Sequence, residues 1–463
     1  MGDFIFIITG VFQIFVFAIT IYYAGLAIFG LRRRHEKKDY TPKNKFAMII
    51  AAHNEEVVIG RLIESMQNQD YPKELYDIFV IADNCNDNTA KIARSYGVKV
   101  YERFNTEKRG KGYALEWMFS KIYKMNTQYD AIAIFDADNL VNKSWIKEIN
   151  SKMSEGYKVV QGYIDSKNPN DSWITASYSI AFWAQNRMFQ LSRANVGLSN
   201  QIGGTGFAIK LDILKQYGWG ATCLTEDLEF SCKMILNGEK VGWAHDAIIY
   251  DEKPLTLNQS WVQRRRWMRG FSDVASRYFF KLLKTGIKER KWFIIDCAIY
   301  VMNPFLTLMV GLSMILTFMQ ISTESGLNIF IMPDLLGNVV FQILGVTQFL
   351  LTPLIMMLDK KISKGFFVML AFYSLNVFIL PAMLTGDVEL IKVIAINAVF
   401  NAAFLLAVLV FLGKKSLILF FRFLLYAVYT LTWIPITIQG ILNKHDKEWN
   451  PTKHVRSVEI CDV

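Results

Sequence analysis

From Phe4 to Leu31 the chain runs without a charge through FIFIITGVFQIFVFAITIYYAGLAIFGL. An apolar helix of about 20 residues is enough to cross a bilayer, so this stretch constrains the chain more than any other feature. A secretory leader carries its basic residues in front of a shorter apolar run and ends at a small-residue cleavage site. Here the basic cluster Arg32-Arg33-Arg34-His35-Glu36-Lys37-Lys38 stands behind the run. Positive charge stays on the cytosolic side, so the segment reads as an anchor with its N-terminus outside and the following residues in the cytosol.

No comparable run occurs until Trp292; apolar blocks then follow at 293–319, 338–358, 365–384, 389–412 and 416–441. Asp359-Lys360-Lys361 with Lys364 marks a cytosolic turn, the acidic Thr385-Gly386-Asp387-Val388-Glu389 an external one, and Lys414-Lys415 a cytosolic one. The last block holds Arg422 and Pro435 and can either span or lie along the interface, which makes five or six spans. The expected parts are an anchor with its basic flank at 1–39, a cytosolic domain with interface helices at 40–291, a helical bundle at 292–442 and a cytosolic tail at 443–463. Several spans around one soluble domain predict a multi-pass protein of the plasma membrane that makes something on one side and moves it to the other.

Composition agrees: 52% of the 463 residues are hydrophobic and 20% charged, against about 45–50% and 25% in soluble domains. With 28 Gly, 10 Pro and 5 Cys, disordered, collagen-like and disulfide-built scaffolds are excluded. The formal charge of +10 gathers beside the apolar runs, as a bilayer partner requires, and gives no ground for a nucleic-acid partner. The scattered cysteines read as reduced thiols, and neither they nor the five His show metal-ligand spacing.

Within 40–291, Phe46–Ala52, Asp77–Ala82, Val98–Tyr101 and Ala131–Phe135 read as strands, and Glu56–Gln67, Thr89–Tyr96 and Tyr113–Lys124 as helices. This alternation predicts an α/β fold with a mostly parallel sheet covered on both faces, whose ligands bind beyond the carboxyl ends of the strands. Glu55 and Asp83 stand at two such ends and can cap helices or accept hydrogen bonds from a ribose or base. Lys108-Arg109-Gly110-Lys111-Gly112 can be a solvated turn or a phosphate loop. Asp136-Ala137-Asp138 at the fourth end has the spacing for a divalent cation shared with phosphates. Thr225-Glu226-Asp227 opens a helix; Thr225 can be its N-cap and the acids can serve the helix dipole, or Asp227 can be a general base. In Gln263-Arg264-Arg265-Arg266-Trp267, residues 263, 266 and 267 share one helix face, joining an amide, a guanidinium suited to diphosphate and an indole suited to a sugar. The other arginines can lie on a membrane surface.

Taken in this order and spacing, Asp83, Asp136-Ala137-Asp138, Thr225-Glu226-Asp227 and Gln263-x-x-Arg266-Trp267 resemble the membrane-integrated, processive family 2 glycosyltransferases, among them the cellulose, chitin, hyaluronan and poly-N-acetylglucosamine synthases. The resemblance implies an α/β glycosyltransferase-A (Rossmann-like) domain inserted between transmembrane helices, a UDP-sugar donor and Mg²⁺ or Mn²⁺. It implies nucleotide-sugar contacts at Asp83, Lys111, Asp136 and Arg266, beside the Glu55 read above as a ribose or base acceptor, a catalytic part for Asp136 with Asp227 and Arg266, and metal at Asp138 and Asp136. It further implies Asp227 as base, Arg266 on the leaving diphosphate, and acceptor contacts at Gln263, Trp267, Gly204 and Thr205, the last two in the loop Gly203-Gly204-Thr205-Gly206. Trp173, Trp183, Trp261 and Trp267 can stack growing sugars or anchor at the interface. Trp449-Asn-Pro-Thr452-Lys453 resembles the gating segment of cellulose synthases, without its following Gly. The expected product is a β-linked polysaccharide, a cellulose-like or mixed β-1,3/1,4-glucan from UDP-glucose, with accessory secretion subunits as possible partners. The alternatives are an N-acetylglucosamine polymer or a single sugar placed on a membrane lipid.

Overall fold

A computed structural model describes residues 2–36, 38–220, 223–322, 328–384, 389–446 and 454–462. The chain forms two compact units, Met1–Leu31 with Leu306–Thr432, and Arg32–Phe305 with Trp433–Val463.

After α1 (Gly2–Phe29), the second unit runs β1 (Phe46–Ala52), α2 (Ile59–Gln67), β2 (Tyr76–Asp83), α3 (Thr89–Ser95), β3 (Lys99–Arg103), α4 (Lys111–Ile122) and β4 (Ala131–Asp136). It continues through β5 (Leu140–Val141), α5 (Trp145–Ser154), β6 (Val159–Ser166), α6 (Trp173–Ala184), a π-helix (Gln185–Leu191) and α7 (Ser192–Val196). Next come β7 (Phe207–Lys210), α8 (Leu211–Tyr217), α9 (Glu226–Leu236), β8 (Val241–Asp251), α10 (Leu257–Glu289) and α11 (Trp292–Val301). The eight strands form one sheet in the order β3-β2-β1-β4-β7-β6-β8-β5. β1 to β4 are mutually parallel where they pair, β6 is parallel to β8, and β7 and β5 run antiparallel to their neighbours. The sheet is therefore mixed beyond β4.

β1 shows why these runs become strands. Phe46, Met48, Ile50 and Ala52 pack with α2 and α5 on one face, and Ala47 and Ile49 pack with α4 and α9 on the other. Alternate residues of a strand face opposite sides, so a strand covered twice must be apolar throughout. The polar switch comes only where the strand leaves the sheet. α2 starts at Ile59 rather than Glu56, because Asn54 turns with φ 57° and Glu55 N and Glu56 N donate to Thr89 Oγ1 and Asp87 Oδ2.

The first unit adds α12 (Asn303–Ser322), α13 (Met332–Leu336), α14 (Asn338–Leu358), α15 (Lys364–Tyr373), α16 (Asn376–Leu384) and α17 (Leu390–Leu431), and α18 (Trp433–Leu442) follows. Five helical stretches among the described residues are long and apolar enough to cross a membrane. The two last apolar blocks belong to one such stretch, broken at Gly413 (φ 79°, ψ 173°).

The units divide the chain at positions other than 39, 291 and 442. α11 stays with the sheet unit because Asp296 and Arg193, both about 1% exposed, form a bidentate pair at 2.8 and 2.9 Å. α18 returns to it because Gly440 lets the backbone of α10 approach: a Cβ there would meet Met268 Cβ at 2.4 Å. Trp261 Nε1 donates to Gln439 Oε1 at 2.9 Å, Arg264 lies over the Trp433 ring at 4.9 Å, and Arg269 pairs with Asp446 at 2.8 Å.

Candidate active site

The acids at the strand ends have different surroundings. At the end of β2, the buried Asp83 takes Arg103 Nη1 at 2.5 Å on Oδ1, and Arg103 Nη2 also donates to Lys108 O at 2.6 Å. The pair ties β2 to β3 and to the basic loop, while Asp83 Oδ2 keeps no partner among the described residues. Glu55, beyond β1, lies instead against His454: the imidazole Nδ1 is 2.9 and 3.0 Å from its two carboxylate oxygens.

At the end of β4, Asp136 Oδ1 receives Lys111 Nζ at 2.5 Å, and the same ammonium donates to Gly204 O at 2.7 Å. Lys111 is the first residue of α4, so the basic loop delivers its charge across the site rather than into solvent. Asp136 N donates to Thr205 Oγ1 at 3.0 Å. The 203–206 loop is thus joined to the Asp-x-Asp turn from both sides. Gly204 has φ 85°, and a Cβ on it would stand 3.4 Å from Asp227 Oδ2, so the bare backbone leaves open the space beside that carboxylate. Asp138 is buried, accepting Glu252 N at 3.0 Å and Asn139 Nδ2 at 3.1 Å.

Asp227 lies in the first turn of α9, where burial pushes its carboxyl above the usual range. Burial and then the adjacent Asp227 do the same to Glu226; Lys111 and Arg266 pull both back. Thr225 precedes the helix, but its side chain makes no capping bond; it faces Gly270 of α10 instead. On α10, Arg266 has no hydrogen-bond or ion-pair partner among the described residues. Tyr178 OH donates to Gln263 Oε1 at 2.9 Å, and Trp267 packs edgewise on Tyr178 with centroids 6.1 Å apart. The other indoles are largely committed: Trp183 is buried and donates to Asp165 at 2.7 Å, and Trp261 holds α18.

Sequence reasoning marked the C-terminal tail but did not single out His454 within it. His454 sits between Glu55 and Asp138, its Nε2 3.7 Å from Asp138 Oδ2. Burial opposes its charge, but Asp138, the Glu55 bond and Glu252 outweigh that and raise it to about 10; for Glu55 burial wins, and its carboxyl is raised as well. Val455 N and Arg456 N each donate to Glu252 at 3.1 Å, Arg456 pairs with Asp171 at 2.7 Å, and a cavity of about 300 Å³ lies between this segment and Asp171, Glu252 and Leu255. The only sequence signal was the adjacent Trp449–Lys453 string, which lies outside the described residues.

The donor set fits a divalent cation. Among the described residues no three His, Cys, Asp or Glu side chains are arranged to hold one alone. A hard cation bound with substrate phosphates and water needs only one or two carboxylates, a number that Asp136, 41% exposed with Oδ2 unpartnered among the described residues, and Asp138 would meet.

Residues 42–270 match the profile of the family described as glycosyltransferase like family 2. These residues form a family 2 glycosyltransferase domain. The chain is 30% identical over 274 residues to the probable glycosyltransferase YdaM of Bacillus subtilis, covering 57% of this chain and 63% of that one. It is 27% identical to the beta-monoglucosyldiacylglycerol synthase of Trichormus variabilis, covering 58% of each. It is also 27% identical to the poly-beta-1,6-N-acetyl-D-glucosamine synthase of Staphylococcus aureus, covering 51% of this chain and 57% of that one. The chain therefore spans less than two thirds of the length of these relatives. A mannosyltransferase from Pyrobaculum calidifontis, solved with GDP-Man and Mn²⁺, shares the fold at a TM-score of 0.52 and 15% identity, over 94% of this chain and 99% of that one.

Proposed function

We propose that the protein transfers glucose from UDP-glucose, with inversion, to the end of a growing β-linked glucan, and that its apolar helices pass the product through the plasma membrane while the catalytic unit faces the cytosol. The observation that carries this reading is the convergence of a base and the open carboxylate of Asp136 around one bridge, with the Arg266 guanidinium near enough to act on the base's carboxyl. Lys111 links Asp136 to the Gly204 carbonyl, and Gly204 in turn borders Asp227.

In this reading Asp227 takes the proton of the acceptor hydroxyl as that oxygen attacks the anomeric carbon, a role its raised carboxyl suits. Arg266, unpartnered among the described residues, holds the departing diphosphate. Lys111 adds a second positive charge and keeps the 203–206 loop where the acceptor enters. Gln263 and Trp267 border the acceptor, oriented by Tyr178. Mg²⁺ or Mn²⁺ would be held by Asp138 and Asp136, and would supply charge stabilisation to the diphosphate. His454 stands beside Asp138 with its other nitrogen on Glu55, where its positive charge offsets the two carboxylates.

A second reading, one sugar placed on a membrane lipid, is supported by the similarity to the beta-monoglucosyldiacylglycerol synthases over 58% of the chain. Purified protein in detergent with Mn²⁺ would be offered labelled UDP-glucose and UDP-N-acetylglucosamine separately. Polymer that cellulase or lichenase degrades, reduced at least about 100-fold by Asp227→Asn, is the expected result. A chitinase-sensitive or lipid-soluble product would move the assignment to the corresponding alternative, and an unaffected Asp227→Asn enzyme would remove Asp227 from the mechanism.

A further inference from the structure

Helices α9 and α10 carry the base and the guanidinium of the site, and they meet through a glycine. A Cβ on Gly270 would stand 2.4 Å from Thr225 Oγ1, 2.5 Å from Thr225 Cγ2 and 2.9 Å from Thr225 Cβ. All three atoms belong to one buried, β-branched side chain, whose χ1 has few alternatives, so an added methyl cannot be relieved at one flexible tip. Gly270 lies four residues after Arg266, on the same face of α10. Thr225 lies two residues before Asp227, and its hydroxyl caps nothing.

A second contact repeats the register further along. Glu229, one turn beyond Thr225, is 2% exposed and accepts Arg277 Nη1 at 2.7 Å and Tyr278 OH at 3.2 Å. Arg277 is two turns beyond Gly270 and is braced on its own helix by Asp273 at 2.9 Å. One contact sets how near the helices come, and the other stops them from sliding.

We propose that Gly270 with Thr225, and Glu229 with Arg277, form a clasp that sets the separation of Asp227 from Arg266, which makes Gly270 a positioning residue of the transfer reaction. The assignment of roles rests on the function proposed above; the clasp itself rests on the packing. Ordinary carbon contacts lie at about 3.5–4.0 Å, so a methyl on Gly270 drives the start of α9 away by on the order of 1 Å, a misplacement that can lower turnover about 100-fold.

The test compares wild type, Gly270→Ala and Gly270→Ala/Thr225→Ala. Gly270→Ala is expected to lower kcat about 100-fold with donor KM within about threefold, and to speed amide hydrogen exchange over residues 226–231. Thr225→Ala removes two of the three close atoms and should recover at least about tenfold in kcat and slow the exchange again. Wild-type kcat in Gly270→Ala, unchanged exchange, or a loss that the double variant does not relieve would each overturn the clasp, and parallel loss of donor binding would reduce it to a folding requirement. If wild type used no UDP-sugar, the proposed function would fall, while the exchange comparison would still decide the clasp.

Discussion

The buried pair Arg193–Asp296 offers a quantitative test of what holds the catalytic unit together. Its two bonds, at 2.8 and 2.9 Å with both side chains about 1% exposed, connect α7 to α11. Residues 190–201, just beside it, form a buried amide network: Asn200 Nδ2 donates to Gln190 Oε1 at 2.9 Å and Gln190 Nε2 to Gln201 O at 2.8 Å. That network leads directly into the 203–206 loop. Asp296→Ala strips a buried guanidinium of its carboxylate, which is expected to destabilise the unit by about 3–5 kcal/mol, whereas replacing both partners by apolar residues is often neutral or stabilising. With an unfolding entropy of about 2.1 cal/mol/K per residue over a unit of roughly 300 residues, that loss lowers Tm by about 5–8 °C. Tryptophan emission during thermal unfolding in detergent reads the shift. Arg193→Met/Asp296→Leu should restore most of it. A single variant within about 1 °C of wild type, or a double variant no better than the single, would show that this pair does not hold the unit together.

Two further outcomes follow from the site. Burial raises the Asp227 carboxyl above its usual value, and a base works only when ionised, so activity should fall as pH drops and the acidic limb of kcat should lie above the roughly 3.9 of a free aspartate; a limb at or below that value in a pH–rate profile would contradict the assignment. His454→Ala removes a positive charge beside Asp138 and should tighten Mn²⁺ binding in the presence of UDP about tenfold, measured by titration of tryptophan emission. Unchanged affinity would make the segment from His454 onward only a cover.

Much of this site could be read in one dimension. A parallel strand covered on both faces must be apolar throughout, so β1, β2 and β4 stand out as runs, and the acids at their ends, Glu55, Asp83 and Asp136, mark where the chain leaves the sheet. The same logic placed Arg266 one helical turn from Gln263 and beside Trp267. It did not reveal that Asp83 is held by Arg103, because that depends on β3 lying next to β2. Nor did it separate the readings of Thr225, which precedes a helix like a cap yet spends its side chain on Gly270.

The apolar helices, the α/β domain between them and the order of the polar motifs are legible in local pattern, because periodicity, charge and hydrophobic length act on neighbouring residues. Which groups share the site depends on the packed fold. His454 reaches Glu55 across 399 positions, α18 comes back to α10 through Gly440, and Gly270 admits Thr225. These choices depend on how closely separate surfaces pack and how buried charges find partners, and no local pattern records either.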